Sequence, residues 1–259
     1  MCISAQASWQ YEIGDYDTHY IQPNVWFDNY HGLTAGDALK LALLNMESAF
    51  VNRNERRDEI AKTLSLRQLF GEEAWSGAGG ALETLKRTGS LPFSLTGKML
   101  DEDYPGSYLR QLLRVSVTLP VVLGPYQDIK ARLLQVSSKT VIKPDLAAIK
   151  YCHDVDDKEG SPANIKFNLR PYGQIAISAG MDDNGILQMS FDDGRYFPFE
   201  GTGADSEWLL EFPRYKLEAQ QKLLANLTDI IVHFHYTAVP AGQAFASQVE
   251  ELLDKARQA

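Results

Sequence analysis

Two histidines two positions apart, His233 and His235 in HFHYT, have the spacing best suited to chemistry in this chain. On a strand they project from one face, as a pair of metal ligands must. No third His, Cys or carboxylate is tied to them by sequence, so a zinc site is left without its remaining ligands. Asp154, Asp156, Asp157 and Glu159 have the oxygen density of a calcium loop. Lys158 occupies a ligand position there, and Ile165 stands where the closing glutamate belongs. Asp182-Asp183 and Asp192-Asp193 supply paired carboxylates, but both pairs fall in turns, where Asp is expected for backbone reasons alone. A glycosidase needs two carboxylates facing across a cleft, which neighbours in a turn do not provide. The GAGG run within residues 71–80 lacks the Lys-Ser/Thr and strand-to-helix context of a phosphate loop, and no serine sits in a GxSxG elbow. These residues predict a protein that is not an enzyme and has no cofactor and no metal. A metalloenzyme built on His233 and His235 stays as an alternative.

The elements that would position such residues are mainly strands. From Asp101 to Tyr126 the chain reads DEDYPGSYLRQLLRVSVTLPVVLGPY. Val115, Val117, Leu119 and Val121 recur at every second position with Ser116 and Thr118 between, the period of a strand with one buried face. Pro120 cannot donate to a ladder and belongs at an edge or bulge. Residues 128–136 alternate in the same way and read as the antiparallel partner across the Gly-Pro-Tyr turn. Further short strands are expected at 166–169, 174–179, 186–191, 207–212 and 229–237, with Asn184-Gly185 and Asp193-Gly194 as hairpin joints. Short strands at this spacing favour a sandwich or an open barrel.

Helices are expected at the two ends. Thr34 and Asp37 form a capping pair, and Leu39, Leu43, Met46 and Phe50 follow at spacings of four, three and four, with Ile60 and Leu64 on the same stripe. The charge run NRNERRDE at 52–59 interrupts that seam. Before it, Trp9, Tyr11, Tyr20, Trp26, Phe27 and Tyr30 read as an aromatic cap on short extended pieces. GEEAWSGAGG at 71–80 has the glycine density of a hinge, and residues 81–87 form a short helix ending at Thr88-Gly89. A polar surface loop spans 153–164. Phe245, Val249, Leu252 and Leu253 mark a C-terminal helix. The expected fold is α+β: a mainly antiparallel β-sandwich preceded by a long helix and followed by a short C-terminal helix, with the domain boundary between residues 82 and 83.

Composition narrows the function classes. The chain has 259 residues, 44% hydrophobic, with Lys+Arg 25 against Asp+Glu 34 for a net charge of -9. That balance argues against nucleic acid as a partner. The two cysteines, Cys2 and Cys152, make no disulfide framework. No apolar run approaches the roughly 20 residues of a membrane helix, and the first residues do not read as a signal peptide.

The stretch DEDYPGSYLRQLLRVSVTLPVVLGPYQDIKARL resembles the DYPGHY, RRIKSVSVTIPCVVGPY signature of TcA subunits, the large pore-forming components of bacterial Tc (toxin complex) toxins. TLKRTGSLPFSL at 84–95, DDGRYFPFEGTGADSEWLLEFP at 192–213 and DIIVHFHYTA at 229–238 resemble the same C-terminal region. HGLTAGDALKLALLNMESAFVNRNERRDEIAKTLSLRQL resembles the end of the family's long-helix pore-forming region. Leu112-Leu113 replaces the family's Ile-Lys pair, Val121 stands where Cys is usual, and GEEAWSGAGG replaces a shorter aliphatic segment.

The resemblance implies a secreted, non-enzymatic assembly module. Residues 1–82 would close the channel region of a homopentamer, and 83–259 would bind the TcB component of the TcB-TcC cocoon. Membrane contact would come only through pore-forming helices outside this chain. Partner-binding residues are expected where aromatics and arginine flank turns: Asp103, Tyr104, Arg110 and Tyr126 at the central stretch, and Arg195, Tyr196, Phe199 and Glu200 at the DGRYFPFEG tip. A carbohydrate-binding sandwich is the alternative, since Trp and Tyr on short strands beside Asp/Asn loops can stack on sugars.

Overall fold

The structure is a computed structural model that describes residues 2–22, 35–53, 56–77, 79–120, 130–154, 159–168, 172–178, 187–188 and 199–258. The chain divides into two compact units, Met1–Arg57 and Asp58–Ala259. This division lies earlier than the boundary expected after residue 82.

The first unit holds α1 (Cys2–Ile13) and α2 (Ala35–Arg53). Residues 8–13 were expected to be extended pieces, but Gln6 organises Cys2–Ile13 as a helix against the following segment. Its side chain accepts from the N–H groups of Tyr20 and Ile21 at 2.9 and 3.1 Å and donates to Thr18 O at 3.0 Å. Trp9 is buried edge-on to Tyr20, ring centres 4.9 Å apart. Trp26, Phe27, Tyr30 and Thr34 lie outside the described residues. The α2 helix ends at Arg53, whose Nη1 meets Asp15 Oδ2 at 2.8 Å.

The second unit begins with β1 (Asp58–Ser65), followed by α3 (Leu66–Phe70), α4 (Glu72–Ser76) and α5 (Ala81–Thr88). Ile60 and Leu64 are therefore strand residues, not a continuation of the helical stripe. They are buried on alternate positions of β1, and burial in a sheet outweighs the approximate heptad match. The glycine-rich segment is packed rather than a hinge. Trp75 on α4 is fully buried, and its Nε1 donates to Thr228 O at 3.2 Å.

Then come β2 (Ser90–Leu95), α6 (Gly97–Asp103), β3 (Ser107–Leu119), β4 (Lys130–Val141) and α7 (Leu146–His153). A 3-10 turn (Pro162–Asn164) leads into β5 (Ile165–Asn168), β6 (Tyr172–Ser178) and β7 (Leu187–Gln188). The chain closes with β8 (Asp205–Glu211), α8 (Glu218–Ala225), β9 (Ile231–Pro240) and α9 (Gln243–Gln258). Among the described residues no helix is long and apolar enough to cross a membrane.

The strands form two antiparallel sheets. One has the order β1-β9-β3-β7; the other runs β2-β8-β4-β5, with β6 also beside β4. The expected hairpin between the central strand and residues 128–136 does not form: β3 pairs with β9 and β7, while β4 pairs with β8, β5 and β6. Strands β1, β2, β3, β4, β8 and β9 bury apolar side chains on one side, and these sides meet in one core. Val115, Val117 and Leu119 of β3 share it with Ala131 and Leu133 of β4. Trp208 on β8 joins the sheets, its ring 5.6 Å from Phe234 on β9 and 6.4 Å from Phe93 on β2. At one end α6, α7 and α9 pack together, with Ile149, Val249 and Leu253 buried among them.

Candidate functional site

The acidic turn between α6 and β3 is held from inside by a charge cluster. Arg110 Nη2 donates to Asp101 Oδ1 at 2.5 Å, to Ser107 Oγ at 2.8 Å and to Tyr104 O at 3.2 Å; its Nε donates to Ser107 Oγ at 3.0 Å. His153 Nε2, at the end of α7, lies 2.7 Å from Asp101 Oδ2. Asp101 is fully buried and Arg110 nearly so. The backbone explains why Arg110 turns inward. Leu109 has φ 49°, and the register of β3 on β9 slips between Tyr108 and Gln111, which rotates the strand at this point. Arg110 is therefore an interior residue, not the surface anchor expected from its place beside a turn.

The tip residue Phe199 is interior as well. It is buried with φ 70°, edge-on to Trp208 at 4.8 Å. From there residues 201–204 run along β3. Gly201 N–H donates to Leu112 O at 2.7 Å, Leu112 N–H to Thr202 O at 2.8 Å, and Ala204 N–H to Arg110 O at 3.1 Å. The structure thus joins the two sequence blocks expected to dock a partner through their backbones. Asp103, Tyr104 and Glu200 reach solvent. Tyr104 is 50% exposed, Glu200 is exposed, and Asp103 pairs with Lys62, whose Nζ also donates to Met99 O at 3.0 Å. Tyr126, Arg195 and Tyr196 lie outside the described residues.

Beneath the turn is a cavity of about 20 Å3, bordered by Gly97, Asp101, Arg110, Lys139, Cys152 and Asp205. It is the size of one water and too small for a substrate. Burial pushes the Asp205 carboxyl up to about 6, with Lys139 opposing. Burial, then Asp205, push the Cys152 thiol up to about 12. A thiol held that far from its thiolate is no nucleophile.

The histidine pair lies on the outward side of the four-stranded sheet. His233 Nδ1 is 3.1 Å from Thr63 Oγ1 and its Nε2 is 3.0 Å from Thr118 Oγ1. Both ring nitrogens are thus engaged by hydroxyls. Among the described residues no group of three or more His, Cys, Asp or Glu is placed to hold a metal ion. Asp154 and Glu159 are described, and Glu159 pairs with Lys150; the two Asp-Asp pairs in turns lie outside the described residues.

A family model described as the Tc toxin complex TcA C-terminal TcB-binding domain matches residues 1–238. The chain belongs to the TcA family of Tc toxin subunits. It is 38% identical over 253 residues to toxin subunit YenA2 of Yersinia entomophaga, covering 98% of this chain and 18% of that one. It is similar to the cryo-EM structure of Morganella morganii TcdA4, with TM-score 0.62 and 29% identity over 92% of this chain and 10% of that chain. Yersinia pseudotuberculosis TcaA-TcaB matches with TM-score 0.59 and 28% identity, over 91% and 13%. The chain thus spans less than a fifth of the length of these relatives.

Two surfaces of this TcA-family chain escaped sequence reasoning. On α2 no residue is buried, and Leu41, Leu44 and Val51 are 60%, 51% and 74% exposed. The heptad signal marked Leu39 and Leu43, but periodicity alone does not say which side lacks a partner. On the outward side of the five-stranded sheet, Phe70, Pro92, Val136 and Leu209 line an open groove of about 580 Å3. Its residues come from four separate elements, so no local pattern announces it.

Proposed function

We propose that this chain is the non-enzymatic docking module of a TcA subunit, and that it binds the TcB component of a TcB-TcC cocoon. The observation that carries this reading is the match of residues 1–238 to a domain family described by its binding of TcB. The two sheets with their common core are taken as the two layers of a β-sandwich that serves as a rigid platform. Tyr104, Asp103 and Glu200 are the described members of the docking surface; Tyr126, Arg195 and Tyr196 are members expected from the sequence alone. Arg110 and Phe199 support it from below. The exposed apolar residues of α2, Leu41, Leu44 and Val51, suit packing against copies of the same chain in a homopentamer, because apolar side chains gathered on one exposed element mark interaction surfaces. The secreted location and translocation role belong to the longer subunit of which this chain would be part.

Size-exclusion chromatography with light scattering tests the reading. The purified chain is expected to co-elute with a TcB-TcC cocoon at the summed mass, and Tyr104→Ala to reduce the complex without lowering thermal stability. Separate elution of the chain and of a full-length TcA pentamer from the cocoon would refute it.

A further inference from the structure

Polar groups with unmade bonds border the cavity beneath the turn between α6 and β3. Asp205 Oδ2 is shut off from solvent and has no hydrogen-bond partner among the described residues. Gly97 and Cys152 already serve the same carboxyl, through a backbone N–H and a thiol. Arg110 spends Nε and Nη2 on Asp101, Ser107 and Tyr104, which leaves the two N–H groups of Nη1. Thr140 is buried, and its hydroxyl makes no hydrogen bond among the described residues. Asp205, Arg110 and Thr140 all border the cavity. Unpaired polar groups inside a protein are costly, and native interiors rarely leave them so.

The charges around the cavity decide what kind of molecule suits it. Two carboxyl side chains, Asp101 and Asp205, and two cationic ones, Arg110 and Lys139, stand on its border. Lys139 is opposite Asp205 in the register of β4 and β8. The carboxylates repel an anion and the cations repel a metal ion. A neutral molecule that both donates and accepts satisfies carboxylate, guanidinium and hydroxyl together. A space of about 20 Å3 takes one molecule of that kind, a water.

We infer that this cavity is a binding site for a single structural water, which donates to Asp205 Oδ2 and accepts from the Arg110 guanidinium. The backbone already brings the two residues close: the N–H of Ala204, next to Asp205 in the chain, donates to Arg110 O at 3.1 Å. The water adds a side-chain link from β8 to the Arg110–Asp101 pair, and a bridging water is nearly as good as a direct hydrogen bond. The turn that carries Tyr104 is thereby tied to the five-stranded sheet as well as to β3, since Tyr104 O accepts from the same guanidinium.

A crystal structure of the full chain at atomic resolution tests this, with oxygen-17 relaxation dispersion counting long-lived waters in solution. One water peak is expected within hydrogen-bond distance of both Asp205 Oδ2 and the Arg110 guanidinium. Gly97→Ala sets a methyl 3.2 Å from Asp205 Oδ2, and is expected to remove that peak and one long-lived water from the count. Asp205→Asn keeps an acceptor oxygen there and is expected to retain both. A cavity without density, or a peak with the coordination of a metal ion or the scattering of chloride, would overturn the inference. A water bonded to Asp205 but not to Arg110, or a count that Gly97→Ala leaves unchanged, would overturn it equally. The wild-type density decides the matter even if Gly97→Ala does not fold.

Discussion

Replacing Arg110 with methionine separates a residue that holds the fold from one that holds the partner. Its side chain is 9% exposed and that of its partner Asp101 is 0% exposed, with the guanidinium and carboxylate 2.5 Å apart. Arg110→Met keeps most of the volume but leaves the Asp101 carboxyl in the interior without its guanidinium partner, with His153 beside it. Breaking a buried pair in this way costs about 3–5 kcal/mol. For a unit of this size each kcal/mol lowers the thermal midpoint by about 2–4 °C, so the expected fall is roughly 6–20 °C. Urea unfolding of the full chain measures the same loss as a shift of midpoint at unchanged slope. Combining Arg110→Met with Asp101→Asn removes the stranded carboxyl while Asn still accepts from His153. The double variant is therefore expected to be more stable than Arg110→Met alone, a coupling that independent residues would not show. A loss below about 1 kcal/mol for Arg110→Met, together with weakened TcB binding, would refute the interior role. So would strict additivity in the cycle.

Two further predictions follow the same reasoning. The rise of Asp205 from an ordinary 3.8 to about 6 means that the fold prefers its neutral form, an effect on the order of 3 kcal/mol. That stabilisation is full below the unfolded pKa and is lost as pH rises through about 6, so Asp205→Asn is expected to flatten the pH dependence of stability there; an unchanged slope would sink the idea. Leu109 has a positive φ, so Leu109→Gly is expected to be more stable than Leu109→Ala by about 1 kcal/mol, the reverse of an ordinary strand position. Chemical denaturation of the two variants checks the order.

What was legible in the sequence were the signals that depend only on near neighbours. The alternation at Val115, Val117 and Leu119 is a buried strand face, α5 ends at Gly89 in the left-handed conformation, and Val249 with Leu253 is the buried side of α9. Pairing was not legible, because alternation says which side of a strand is buried but not which strand lies beside it. Hence β3 and β4, adjacent in the chain, were expected as a hairpin yet face each other across the core. Short helices such as α6 and α7 were missed because fewer than three turns leave little periodicity to read.

The same limit governs the candidate site. Arg110 stands beside a Tyr-Pro-Gly turn, and by local rules a charged residue there belongs to the surface. Its fate is decided by Asp101, by His153 far along the chain, and by the positive φ of Leu109, none of which a spacing rule connects to it. Asp101, Tyr104 and Arg110 therefore divide one motif between two roles. Asp101 and Arg110 fix the geometry of the turn from within, which leaves Tyr104 outside and rigidly presented. Because Tyr104 O itself accepts from Arg110, a change at Arg110 reaches Tyr104 through the backbone. Loss of partner binding in an Arg110 variant is thus evidence of contact only after its effect on stability has been subtracted, whereas for Tyr104 the two measurements are expected to separate.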